Sequence, residues 1–140
     1  MDFFFYRLEL AKLYLAKGDP AQAADQLEAA LAATPNAYEP FVAGTPVAFH
    51  YLAALRERAG DAEGVARARA AAARAPAEPS HEFEITFART LPEEARRFLE
   101  AHLRRHPDDG RAWLAFGILA ELSGDERAAR ERFGRAARLG

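Results

Sequence analysis

Three stretches of one kind punctuate this 140-residue chain: Lys17-Gly18-Asp19-Pro20, Ala59-Gly60-Asp61-Ala62 and Ser123-Gly124-Asp125-Glu126. Each separates two Ala/Leu-rich segments of helical periodicity. Glycine suits the residue just after a helix end, where a left-handed φ is needed. Aspartate suits the next N-cap, because its carboxylate accepts the orphan N–H groups of a first turn. Pro20 then stands at a first helical position, where its missing N–H costs nothing. Each stretch therefore predicts a helix–turn–helix hairpin. Gly60 follows Gly18 by 42 residues and Gly124 follows Gly60 by 64. The longer gap is nearly twice a helical repeat of roughly 34 residues. A degenerate turn is expected within it at Thr90-Leu91-Pro92-Glu93-Glu94, with Thr90 as cap and Pro92 early in the next helix.

Working outward, helices are predicted at about 2–17, 20–33, 46–59, 62–75, 80–89, 92–105, 110–123 and 126–138. The segment 80–89 is the ambiguous one. Phe83, Ile85 and Phe87 alternate as in a strand, yet a lone strand would have no partner. Ser80 offers a cap, and Phe83 and Phe87 are also four apart, so helix is the expectation there.

Composition supports a packed helical protein. Half of the residues are apolar and 29% are charged, a balance that excludes disorder. There is no cysteine, hence no disulfide framework, thiolate metal site or cysteine nucleophile. A net charge of −2 argues against nucleic acid as the partner. No apolar run reaches the roughly 18 residues of a membrane span, and the N-terminus lacks the pattern of a signal peptide, so a cytoplasmic location is expected. Lys12 and Lys17 are the only lysines among 19 basic residues, an arginine bias that, with the abundant alanine, reads as bacterial-like genome composition. The pairs Glu93/Arg97, Glu100/Arg104, Glu126/Arg130 and Glu131/Arg135 each stand four apart with the acid first, which favours ion pairs on solvated helix faces.

The residues around each turn resemble the tetratricopeptide repeat, whose pattern spaces an aromatic, a Leu-Gly pair, a tyrosine, then Ala, Phe and Pro. The last hairpin matches best, with Trp113, Phe116-Gly117, Ala129, Phe133 and Ala136, though Ala120 replaces the tyrosine. The first supplies Leu10-Ala11, Tyr14, Ala23, Leu27, Ala30 and Pro35, with Arg7 in place of the aromatic. The second supplies Phe49, Leu52-Ala53 and Ala72, with Val65 replacing the small alanine, Arg69 the aromatic and Pro76 one residue early. The third supplies Ala95, Leu99 and Pro107, while Pro79 and Glu82 fit poorly. The resemblance implies an all-α fold: a right-handed α-solenoid of about four TPR-like helix-turn-helix hairpins, a single domain over 1–140. The hairpins would lie at about 2–35, 46–77, 78–108 and 110–140, with an inserted loop at 36–45.

The resemblance also implies a non-catalytic scaffold or adaptor that binds a peptide or protein segment in a concave groove. Its inward positions would be Phe5, Leu8, Lys12 and Leu15, then Val47, His50, Ala54 and Glu57. Ser80, Glu84 and Phe87 follow in the third hairpin, and Arg111, Leu114, Ile118 and Glu121 in the fourth. The expected partner-binding residues are Lys12, His50, Tyr51, Phe87, Arg111, Leu114 and Ile118, with Tyr38 and Phe41 on the adjacent loop. The positions of a basic clamp for a partner's C-terminal carboxylate hold Leu8, Lys12, Tyr51, Ala77 and His81, so no such clamp is expected. The alternative is a self-assembling protein that forms a homo-oligomer. Phe3-Phe4-Phe5-Tyr6 at one end, and no polar capping helix after the last hairpin, point that way.

No catalytic residue, metal or cofactor is expected. His102 and His106 share a helix face at metal-ligand spacing, but no third ligand accompanies them. His50 with Glu57, and His81 with Glu84, lack a nucleophile beside them, and Ser80 and Ser123 read as cap or turn residues.

Overall fold

Among the described residues, short Ala- and Leu-rich segments become eight α-helices. They are α1 (Phe4–Ala16), α2 (Pro20–Ala32), α3 (Pro46–Arg58), α4 (Ala62–Arg74), α5 (His81–Thr90), α6 (Pro92–Arg105), α7 (Gly110–Leu122) and α8 (Glu126–Leu139). The computed structural model describes residues 4–32, 46–75 and 81–139, and only the backbone of Phe4, Phe5, His81 and Glu82. Among the described residues there is no strand, so the fold is all-α. The alternating Phe83, Ile85 and Phe87 lie on a helix, and Phe83 and Phe87 share its buried face.

The three Gly-Asp turns are built alike. Gly18, Gly60 and Gly124 have φ of +81°, +75° and +80°. The next residue's N–H reaches back across the turn, Asp19 to Tyr14, Asp61 to Arg56 and Asp125 to Ala120, each at 2.9 Å. The glycine N–H groups bond the carbonyls of Leu15, Glu57 and Glu121 at 3.0–3.1 Å, which completes a Schellman motif at each turn. The same aspartates then cap the following helix through their carboxylates, accepting from the N–H of Gln22, Gly64 and Ala128. One Gly-Asp pair thus closes one helix and opens the next. The fourth turn has no glycine and a single linking residue, Leu91, which is fully buried. Thr90 does not cap α6; its hydroxyl donates to the Thr86 carbonyl at 2.6 Å within α5, and Leu91 takes the N-cap position without a side-chain bond.

The chain forms two compact units, Met1–Ser80 and His81–Gly140, each holding two of the four hairpins. In the first, α2 packs on α1 and α3, and α3 packs on α4. Helix α3 is buried at six successive residues, 51–56. Helix α4 meets it with Gly64, Ala68 and Ala72, a face made only of small residues. That face is one position off the expected register, because Val65 is half-buried and Arg69 exposed. The cause is Arg56. Its buried guanidinium bonds Asp25 at 2.9 Å and Glu28 at 3.3 Å on α2, and lies 3.6 Å from the turn carboxylate of Asp61. A Cβ on residue 64 would fall 2.5 Å from Asp61 Oδ2 and 2.7 Å from Arg56 Cδ, so glycine stands where the arginine passes.

In the second unit, α7 packs on α5, α6 and α8. Gly117 admits the Phe133 ring from α8; a Cβ there would lie 2.6 Å from two ring carbons. Arg132 lies over the Phe116 ring, 3.5 Å from its centroid, and donates to the Phe116 carbonyl. Arg135 lies over Trp113, whose Nε1 donates to the Pro107 carbonyl. These contacts displace the expected ion pair of Arg135 with Glu131, since a ring face held still by packing is a better partner than a solvated carboxylate. Glu93 and Glu100 likewise both take Arg96 instead of Arg97 and Arg104. Helix α8 buries only Ala129 and turns Arg127, Arg130 and Arg138 outward, so it is itself polar on its outer side.

Candidate functional site

The most unusual chemistry lies where α5 and α7 pack together. Phe83 and Phe87 pull α5 into the core and take Glu84, the residue after Phe83, along. Glu84 is only 3% exposed, and its Oε2 has no hydrogen-bond partner. Burial, and then the nearby Asp109 carboxylate, push its carboxyl up to about 8, against the opposing pull of the Arg111 guanidinium. Glu84 is therefore largely protonated at neutral pH.

Asp109 behaves in the opposite way. It is the N-cap of α7, accepting from the Ala112 N–H at 3.3 Å, and its Oδ2 lies 2.7 Å from His102 Nε2 on α6. The His102 bond, helped by the backbone N–H groups of the cap, holds Asp109 below the usual carboxylate range against the effect of its partial burial. With Asp109 ionised, the proton of that bond sits on His102 Nε2. His102 in turn stacks on Phe98 at 5.7 Å and meets the tilted ring of His106 at 4.9 Å, and Phe98 stacks on Phe87 at 5.8 Å. The His102 ring is committed to Asp109, and among the described residues no group of three such side chains is placed to hold a metal ion. A carboxyl as deeply buried as Glu84 offers no face to a substrate; what it can do is hold a proton inside the α5/α7 contact.

Beside this charged end, α7 presents a row of side chains. Arg111 is exposed, Leu114 and Ile118 are half-buried, and Leu122 is 57% exposed. The three apolar residues are four apart, hence on one face, over about 12 Å of helix. Exposed Glu121 stands at the far end from Arg111, so the row has a cation at one end and an anion at the other.

The expected groove residues divide between the two units. Lys12, on α1, is paired with Glu9 at 2.6 Å and keeps 32% of its side chain exposed. His50, on α3, is half-buried. Arg111, Leu114 and Ile118 share α7 as expected. Two residues are core. Tyr51 is wholly inaccessible because α3 is packed on both sides, by α2 and by α4. Phe87 is 2% exposed under the α6 aromatic stack. Neither ring presents surface to a partner. Leu8, Val47 and Ala54, also expected to face inward, are buried as well. Tyr38 and Phe41 of the expected loop, together with Pro35, Pro76, Ala77 and Ser80, lie outside the described residues, as do the side chains of Phe5 and His81. Sequence reasoning placed Glu84 on the groove and missed its burial; the flanking Phe83 and Phe87 were the available signal. It missed Arg56 entirely, since nothing local distinguishes that arginine from the exposed Arg58.

A scan of family models finds none that matches this chain, and a search of the curated proteins finds no match.

Proposed function

We propose that the chain is a non-catalytic protein-binding module, built of tetratricopeptide-like hairpins stacked as a right-handed solenoid, that takes a segment of a protein partner along α7. The observation that carries this reading is the row of Leu114, Ile118 and Leu122, which keeps solvent-facing apolar surface with Arg111 at its start and Glu121 beside its end. An amphipathic helical segment with apolar residues three or four apart fits such a row. An acidic residue of the segment would sit at the Arg111 end and a basic one at the Glu121 end. A row of side chains held in place by helix packing lowers the ordering cost of binding. The three Gly-Asp turns of one construction support the repeat reading.

The test is capture from native lysate by the wild type and by an Arg111→Glu/Ile118→Asp variant, followed by hydrogen exchange on the recovered complex. A protein retained by the wild type, lost by the variant and protecting the α7 amides is the expected result. A partner held equally by both proteins, or one that leaves α7 unprotected, overturns the reading.

A further inference from the structure

We propose that α5 is a proton-operated latch: it stays closed on α7 while Glu84 is protonated, and when Glu84 ionises it swings away about its junction with α6 while α6, α7 and α8 keep their packing. The latch does not depend on the partner reading of the α7 row.

Packing sets α5 apart from the other helices. In the other three hairpins each helix packs most extensively on its hairpin mate, whereas α5 packs more on α7 than on α6. At ten residues it is also the shortest of the eight described helices. Its turn into α6 lacks the Gly-Asp pair that closes the other three, and Leu91 takes the N-cap position without a side-chain bond. What holds α5 is the burial of Phe83, Phe87 and Ala88, each no more than 2% exposed. Helix α7 packs on α6 and α8 without help from α5, so the three can stay together when α5 leaves.

Glu84 sits in that same contact and cannot be ionic there without penalty. Its Oε2 has no hydrogen-bond partner, and it is almost wholly out of water. The charged groups that act on it, Asp109 and Arg111, both belong to the α7 side. Asp109 is held ionised by His102 and by the cap N–H groups, so it does not take up a proton to make room for a second carboxylate. From α6, His102 gives its Nε2 to Asp109 and not to Glu84. Arg111 attracts an ionised Glu84, but burial and Asp109 together outweigh it. A Glu84 carboxylate therefore regains water only when α5 parts from α7. While Glu84 is neutral, burial of the two phenylalanines keeps the helix closed.

Native-state hydrogen exchange between about pH 5 and pH 8, corrected for the intrinsic rate, tests the latch. Protection of the α5 amides should fall about tenfold per pH unit, because closed α5 holds a proton that open α5 releases. At about pH 7 it should lie at least about tenfold below that of the slowest α7 amides, as a local opening requires. Glu84→Gln, checked for wild-type helical circular dichroism, should keep α5 protection constant within about threefold over the range. The wild-type series decides the matter by itself if that variant does not fold. Wild-type α5 protection that ignores pH, α5 amides as slow as the slowest of α7 at every pH, or a Glu84→Gln protein that keeps the fall overturns the proposal.

Discussion

Glycine does two different jobs in this chain, and a methyl group tells them apart. At Gly18, Gly60 and Gly124 nothing lies within 4 Å of where a Cβ would stand, so the residue is there for its positive φ alone. Replacing Gly124 by alanine should cost about 1 kcal/mol, the left-handed penalty of an L residue. At Gly64 the methyl would instead strike Asp61 and Arg56, and Gly64→Ala should cost more, about 2–3 kcal/mol. Urea unfolding of the two variants, with unchanged m-values, checks the order. Glu84 sets a pH dependence at the same scale. Its folded carboxyl titrates near 8 and its unfolded one near the ordinary glutamate value of 4.5. The folded state thus binds the extra proton between those values. The stability linked to Glu84 is fully present below about pH 4.5, falls as pH rises, and is lost above about pH 8. Glu84→Gln should remove this fall and stabilise the protein at pH 9, with little effect at pH 4.5; urea midpoints across pH measure it.

Among the elements, α2, α3 and α4 are joined by one arginine. Arg56 is buried, but the carboxylates it binds on α2 and at the α3–α4 turn are partly in water. Its removal is therefore less damaging than breaking a fully buried pair. Arg56→Met should cost about 1–3 kcal/mol, leaving Asp25, Glu28 and Asp61 to repel one another. Asp25→Asn should cost less in that background than in the wild type, and the difference in a double-mutant cycle should exceed about 0.5 kcal/mol. Why α4 buries small residues also belongs here. Sequence pattern placed Val65 on its inner face by analogy with Ala23 and Ala129. The register is set instead by the passage of Arg56 beside residue 64, a contact between elements that no local pattern records.

At the scale of the molecule, every helix packing described within the two units joins elements adjacent or next-adjacent in the chain. Loop closure is then cheap, and refolding from urea should finish within milliseconds by stopped-flow circular dichroism. The helices and three of the four turns were legible because their signals are local: a glycine, an aspartate and the apolar rhythm on either side. The candidate site was legible only in part. Arg111, Leu114 and Ile118 share a face by spacing alone. Tyr51 and Phe87 were misplaced because a helix flanked by two others buries both of its sides, and neighbours on the second side leave no trace in a single helix's periodicity.

Local sequence, then, determined the all-helical class, the positions of the eight helices and the double use of each Gly-Asp pair as stop and start. Those depend on backbone conformation and on bonds spanning five residues or fewer. Packing between helices decided which rings are core, why residue 64 has no side chain, and that Glu84 keeps its proton while Asp109 does not. The two carboxyls belong to the same class of acid. Their different states follow from what folding places around them: apolar walls with an unpartnered oxygen for one, a histidine and a helix N-terminus for the other.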